Sequence, residues 1–208
     1  MKRIVLLAII VLFAIVLLMK FFFFEVVHIE GNDMAPLLQD GDWVVISRLI
    51  REPARGDVIF FEHPQKNGYF LRRTIGLPEE KVGVRHEQPE INGDFLKRET
   101  IGTVEWHDYY RGQRERTTQL NLMTESTPEG RTYQILKDPQ RRSTRCSEIS
   151  LNKAYFVMAD NRNHGTDSCS LGPIPKEHIR GSAIYRLAGG QPSILQRPSR
   201  QKWQAIGQ

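Results

Sequence analysis

The chain has 208 residues and a mass of 24.1 kDa, enough for a sizeable core, and hydrophobic (40%) and charged (25%) fractions exclude wholesale disorder. Lys plus Arg (29) exceed Asp plus Glu (24), so the charge is +5 and the pI about 9.3, a balance that first suggests nucleic acid or an anionic membrane. Two cysteines are too few for a disulfide-dense scaffold or a four-thiolate zinc site.

The first predicted element is apolar. Residues 4–19 read IVLLAIIVLFAIVLLM, Lys20 interrupts, and Phe21 to Phe24 follow. As a helix, about 21 residues would span roughly 31 Å, near the hydrocarbon thickness of a bilayer. A cleavable leader would have a shorter apolar region followed by small residues, not phenylalanines. Lys2 and Arg3 precede the run, so the positive-inside rule predicts a cytoplasmic N-terminus. The expectation is a single-pass protein of the plasma (inner) membrane with its body, from Glu25 on, outside the cytoplasm.

The rest reads as short strands. VVHIEG, DWVVIS, DVIFFE and GYFLRRTIG are rich in β-branched and aromatic residues and bounded by Gly, Pro or Asp, as are AYFVMAD and GSAIYRLA later. Between them, residues 83–150 are more polar. They contain the turn-like Asn92-Gly93, strand candidates QPEING, FLKRETIG and TYQIL, and the basic clusters RGQRER (111–116) and QRRSTR (140–145). This stretch reads as an insertion or a less compact β lobe, and residues 189–208 as a weakly structured tail. No Gly-rich phosphate loop and no basic region interleaved with stacking aromatics is present, so no nucleic-acid partner and no cofactor are expected. The six histidines lack metal-ligand spacing, and no metal is expected. Cys146 and Cys169 are read either as a disulfide closing a 24-residue loop, worth about 3 kcal/mol, or as two free thiols.

Four segments, in order, carry a resemblance. They are GNDMAPLLQDGDWVVI (31–46), RGDVIFF (55–61), YFLRRTIGLPEEKV (69–82) and MADNRNHGTDSCSLGPIP (158–175). Together, behind an apolar N-terminal segment, they resemble bacterial type I signal peptidases. The resemblance implies a mainly β fold: a β-rich catalytic core from 26–82 and 151–188, a β insertion lobe at 83–150, the anchor at 1–25 and a tail at 189–208. It also implies exported preproteins or signal-peptide segments, and the lipid bilayer, as partners.

Members of that family use a serine nucleophile and a lysine general base, whose pKa burial can lower. This chain departs from both. The nucleophile position holds Asp33 and the base position Arg72. Gly31 and Gly165 stand where hydroxyls often assist the oxyanion and hold the lysine amine. Ala159 replaces a usual glycine, and Cys169 an arginine. The framework is kept in Met34, Pro36, Gly41, Asp42, Arg73, Gly76, Pro78, Asp160, Asn161, Arg162, Asp167 and Ser168. A nucleophile and its base must touch, so Asp33 and Arg72 are expected to form an ion pair, bidentate or not, that plugs the site.

Three functions follow as expectations. The first is a catalytically silent homologue that binds peptide segments or assists assembly of exported proteins. The second is an active endopeptidase with an altered site, using Asp33 with Asp160, or His164 as base. The third is a membrane protein without a retained cleft. The charge itself divides: residues 1–24 carry +3, residues 187–208 carry +3, and the body between holds 23 basic and 24 acidic residues. The polyanion reading of the composition therefore gives way to a nearly neutral body with basic ends.

Overall fold

The computed structural model describes residues 2–49, 52–65, 67–110, 113–141, 145–162, 165–187 and 203–205. Helix α1 runs Lys2–Phe23 and leads directly into β1, Phe24–His28. Then come β2 (Trp43–Ser47), β3 (Val58–Glu62), β4 (Tyr69–Gly76), β5 (Lys81–Arg85), β6 (Gln88–Ile91) and β7 (Asp94–Phe95). The long pair β8 (Lys97–Tyr110) and β9 (Gln113–Ser126) is followed by β10 (Thr132–Lys137), β11 (Cys146–Ser150) and β12 (Ala154–Met158). The chain closes with α2 (Ser168–Leu171), β13 (Ile174–Pro175), β14 (Ile179–Leu187) and β15 (Trp203–Ala205). The fold is mainly β.

The main sheet has the order β1-β2-β14-β3-β4-β12-β13, with β15 also on β14. Its strands come from both sides of the sequence, so residues 81–150 are a long excursion that forms two further sheets, β11-β5-β6-β7 and β10-β9-β8. The run Val58–Phe61 is buried throughout because both faces of β3 are covered. Val58 and Phe60 pack with Val44, Ile46 and Leu71 on one face. Ile59 and Phe61 pack with Tyr155, Val157 and Ile174 on the other, as the two-residue strand period requires.

The excursion is not loosely attached. Val82, Val84, Ile91, Leu96, Tyr133 and Ile135 share one core with Ile75, Phe156 and Met158 of the main sheet. Gly76 permits this approach: a Cβ there would lie 2.5 Å from Val82 and 2.6 Å from Leu151. Asn92 (φ 51°) and Gly93 (φ 94°) form the expected tight turn, where left-handed backbone favours these residues. Of the tail, residues 203–205 pair with β14, and the rest lies outside the described residues.

Counting only the described residues, no helix is long and apolar enough to cross a membrane. The described side chains of α1 fall into 3–7, 9–15 and 22–23, and their large apolar members, including Ile4, Leu12, Phe13 and Phe22, are exposed, apart from the half-buried Phe23.

Candidate active site

The site is built from three pieces of chain that the sheet brings together. The first, 29–42, is a tight loop between β1 and β2. Asp42 is buried and its Oδ2 accepts from the Gln39 amide at 2.9 Å. The Ile29 amide donates to the Asp42 carbonyl, and the Gly41 amide to the Ile29 carbonyl. Gly31 N–H donates to Asp40 Oδ1 at 2.7 Å. Met34 is buried among Ile29, Leu38 and Phe60, and Pro36 follows a cis bond. These contacts hold Asp33 at a fixed place on the loop.

The second piece is β4. Leu71, Arg72 and Arg73 are buried in it, and Pro78 stands in the turn that follows. The third is 159–168, between β12 and α2. It is stitched to both others. Asn161 N–H donates to the Asp33 carbonyl at 2.9 Å, and its side-chain amide to the Asn32 carbonyl at 3.2 Å. Arg73 donates to both oxygens of Asp160, at 2.7 and 2.5 Å, and to the Gly56 carbonyl at 2.6 Å. Arg162 donates to the Ala159 carbonyl and to both oxygens of Glu125 in β9. Asp167 caps α2 by accepting from the Cys169 amide, and Ser168 Oγ accepts from Val157 N–H. The framework residues thus wire loop, strand and excursion into one unit.

At the centre, Arg72 Nη2 donates to Asp33 Oδ2 at 2.5 Å. The contact is a single N–H bond rather than the bidentate form. The Arg72 side chain is 4% exposed and that of Asp33 44%, so the pair lies at a surface, with the cation beneath and the carboxylate facing out. Three more of its five N–H groups are engaged: Nε by the Thr166 carbonyl at 2.5 Å, Nη1 by the Leu71 carbonyl at 2.6 Å, and Nη2 also by Thr166 Oγ1 at 3.1 Å. Thr166 is a functional residue that sequence reasoning missed. A threonine in a polar loop carries no signal for a carbonyl that receives a cation. Glu125, far away in sequence and placed in β9, was likewise unmarked.

The pair opens onto a cleft of about 590 Å³, lined among others by Val27, Ile29, Met34, Phe60, Tyr69 and Leu71. On one side lies β1, the terminal strand of the main sheet. On the other lie residues 69–72 of β4, beyond the reach of β12, which pairs β4 only at Arg73, Thr74 and Gly76. Two strand edges therefore flank an apolar-walled groove with a charged floor.

The expected alternative partners of Asp33 fare differently. Asp160 is fully buried and both its oxygens are occupied by Arg73. His164 lies outside the described residues. Gly165 lies against Asp33: a Cβ built on it would stand 3.4 Å from the Asp33 Cβ. Cys146 and Cys169 form a disulfide that joins β11 to α2. Among the described residues, no group of histidine, cysteine or acidic side chains could hold a metal ion.

The fold is thus a mainly β one with a groove between two strand edges, its polar groups on a loop and a neighbouring strand. The chain belongs to the signal peptidase family, peptidase S26, whose model matches residues 2–188. It is 27% identical over 182 residues to "Signal peptidase I P" of Bacillus subtilis subsp. natto, covering 86% of this chain and 84% of that one. It is 29% identical over 182 residues to "Probable signal peptidase I-1" of Synechocystis sp., covering 82% and 74%. A crystal structure of a signal peptidase I from Enterococcus faecalis V583 matches at 22% identity and a TM-score of 0.35, over 62% of this chain and 95% of that one.

Proposed function

We propose that this protein is a catalytically silent signal-peptidase homologue that binds signal-peptide segments of exported preproteins, or assists their assembly, at the outer face of the membrane. The observation that carries the reading is the 2.5 Å contact between Arg72 and Asp33 at the positions expected for base and nucleophile. A guanidinium stays protonated in proteins and cannot take a proton from a nucleophile. A carboxylate engaged by it has no proton to give and attacks an amide poorly. The groove, by contrast, is retained. An extended peptide added to the edge of β1 or of residues 69–72 would gain backbone hydrogen bonds, while Phe60, Tyr69 and Leu71 offer apolar contact.

The apolar run 4–19 acts as a single-pass anchor, with Lys2 and Arg3 keeping the N-terminus cytoplasmic. Because α1 passes straight into β1, the groove would stand close to the bilayer, where signal peptides arrive. Hydrolysis through an Asp33–Asp160 acid pair finds no support, since Arg73 occupies Asp160.

The test is incubation of the detergent-solubilised full chain with a preprotein. Binding of the signal-peptide region without cleavage is the expected result. Cleavage that disappears in Asp33→Ala would overturn the silent reading.

A further inference from the structure

Gly165 poses a specific question. The space around it has no room for a side chain. A Cβ on residue 165 would fall 2.1 Å from the Cβ of Ala159, far inside any real carbon–carbon contact. Ala159 cannot give way. It is 2% exposed, its carbonyl accepts from Arg162 Nε at 3.0 Å, and it is flanked by Met158, paired with Arg73, and Asp160, bound to Arg73. The same Cβ on residue 165 would stand 3.4 Å from the Asp33 Cβ, so the position borders the ion pair. The next residue, Thr166, supplies the carbonyl and hydroxyl that hold Arg72.

We propose that Ala159 is the positioning residue of the silent site: its methyl group occupies the space of a residue-165 side chain, enforces glycine there, and so leaves Arg72 to Asp33 and Thr166. The loss of a hydroxyl at 165 and the gain of a methyl at 159 are then one coupled change across a turn. This inference rests on the reading that Asp33 and Arg72 have replaced a Ser/Lys pair.

It predicts a dependence between two sites that ordinary packing loss would not show. In the full chain, G165S should lower Tm by about 3–8 °C, because a side chain is forced into filled space. A159G alone should also lower Tm. The double variant A159G/G165S should nevertheless melt higher than G165S, recovering at least half of the loss. Simple addition of the two losses would overturn the proposal.

A second readout concerns the site itself. In a D33S/R72K background, adding A159G and G165S together should raise preprotein cleavage at least about tenfold over adding G165S alone, since only then does a hydroxyl fit beside the amine. An equal gain from G165S alone would overturn the proposal. Cleavage by the unaltered chain would instead overturn the silent reading, and the thermal cycle decides the coupling in either case.

Discussion

At the scale of the residue, Asp33 and Arg72 are unequal partners. Arg72 is buried, makes four hydrogen bonds through its three nitrogens, and packs with its guanidinium carbon 5.7 Å from the Phe70 ring centroid. Asp33 is nearly half exposed and gives its side chain to one of those bonds. Removing the carboxylate should cost about 1 kcal/mol, in the range of partly exposed charged pairs. Removing the guanidinium should cost about 3 kcal/mol, because it strips buried stem packing and leaves the Thr166 and Leu71 carbonyls without a donor. Urea denaturation of Asp33→Ala and Arg72→Ala checks this, and equal losses would refute the asymmetry. The pair itself was expected from the resemblance, which sets Asp33 and Arg72, of complementary charge, at the nucleophile and base positions. Its depth was not. Burial of Arg72 depends on β3 pairing beside β4 and on Thr166 being brought against it, which no local pattern encodes.

At the scale of the element, β9 and α2 hold the site from behind. Glu125 in β9 is fully buried and bonded to Arg162, Arg98 and the Tyr133 hydroxyl. Burial alone would raise its pKa, but Arg162, with Arg98 and Tyr133, holds it below the usual carboxylate value of 4.5. A carboxyl depressed on folding contributes stability that is fully present above its unfolded pKa and lost as pH falls through the folded one. Stability should therefore hold from neutral pH to about 4.5 and decline below it. Glu125→Gln should cost about 3–5 kcal/mol at pH 7, leaving two buried arginines uncompensated, and should flatten the acid limb. Urea midpoints between pH 7 and 3 for both proteins measure this, and an unchanged acid limb in the variant would exclude Glu125 as its source. The Cys146–Cys169 disulfide ties β11 to α2 across 23 residues of sequence. Replacing both by serine should cost about 3 kcal/mol, read as a lower midpoint matching that of the reduced native chain. Sequence reading left this bond undecided, since two cysteines 23 apart carry no information on whether their side chains meet.

At the scale of the whole molecule, the charge balance and the apolar run speak to placement. Residues 1–24 hold three basic residues and no acidic one, whereas the body is nearly neutral. A reporter that functions only outside the cytoplasm, fused after Gln208, should be active, and the full chain should resist alkaline extraction from membranes. An inactive reporter paired with a cytoplasmically active one would reverse the orientation drawn from Lys2 and Arg3. Most strands of the main sheet were readable from their β-branched runs and turn residues: β2, β3, β4 and β12 fall within the predicted segments, and β14 starts two residues before its own. Strands β5, β9 and β11 and the full length of β8 were not. Polar residues along them dilute the apolar signal, and they become strands through pairing, β5 with β11 and β8 with β9.

The amino-acid sequence by itself determined the order of the four motif segments and the mainly β class, and through the resemblance it implied a carboxylate and a guanidinium at two positions expected to meet. The first two are properties of residue type and spacing, which are local. Only the tertiary structure decided that Arg72 lies beneath Asp33 rather than beside it, that Thr166 holds it, that Glu125 braces Arg162 from another sheet, and that Ala159 takes the space a side chain at 165 would need. Each of these depends on volume shared by residues distant along the chain or lying across a turn. Volume is settled when the sheet closes.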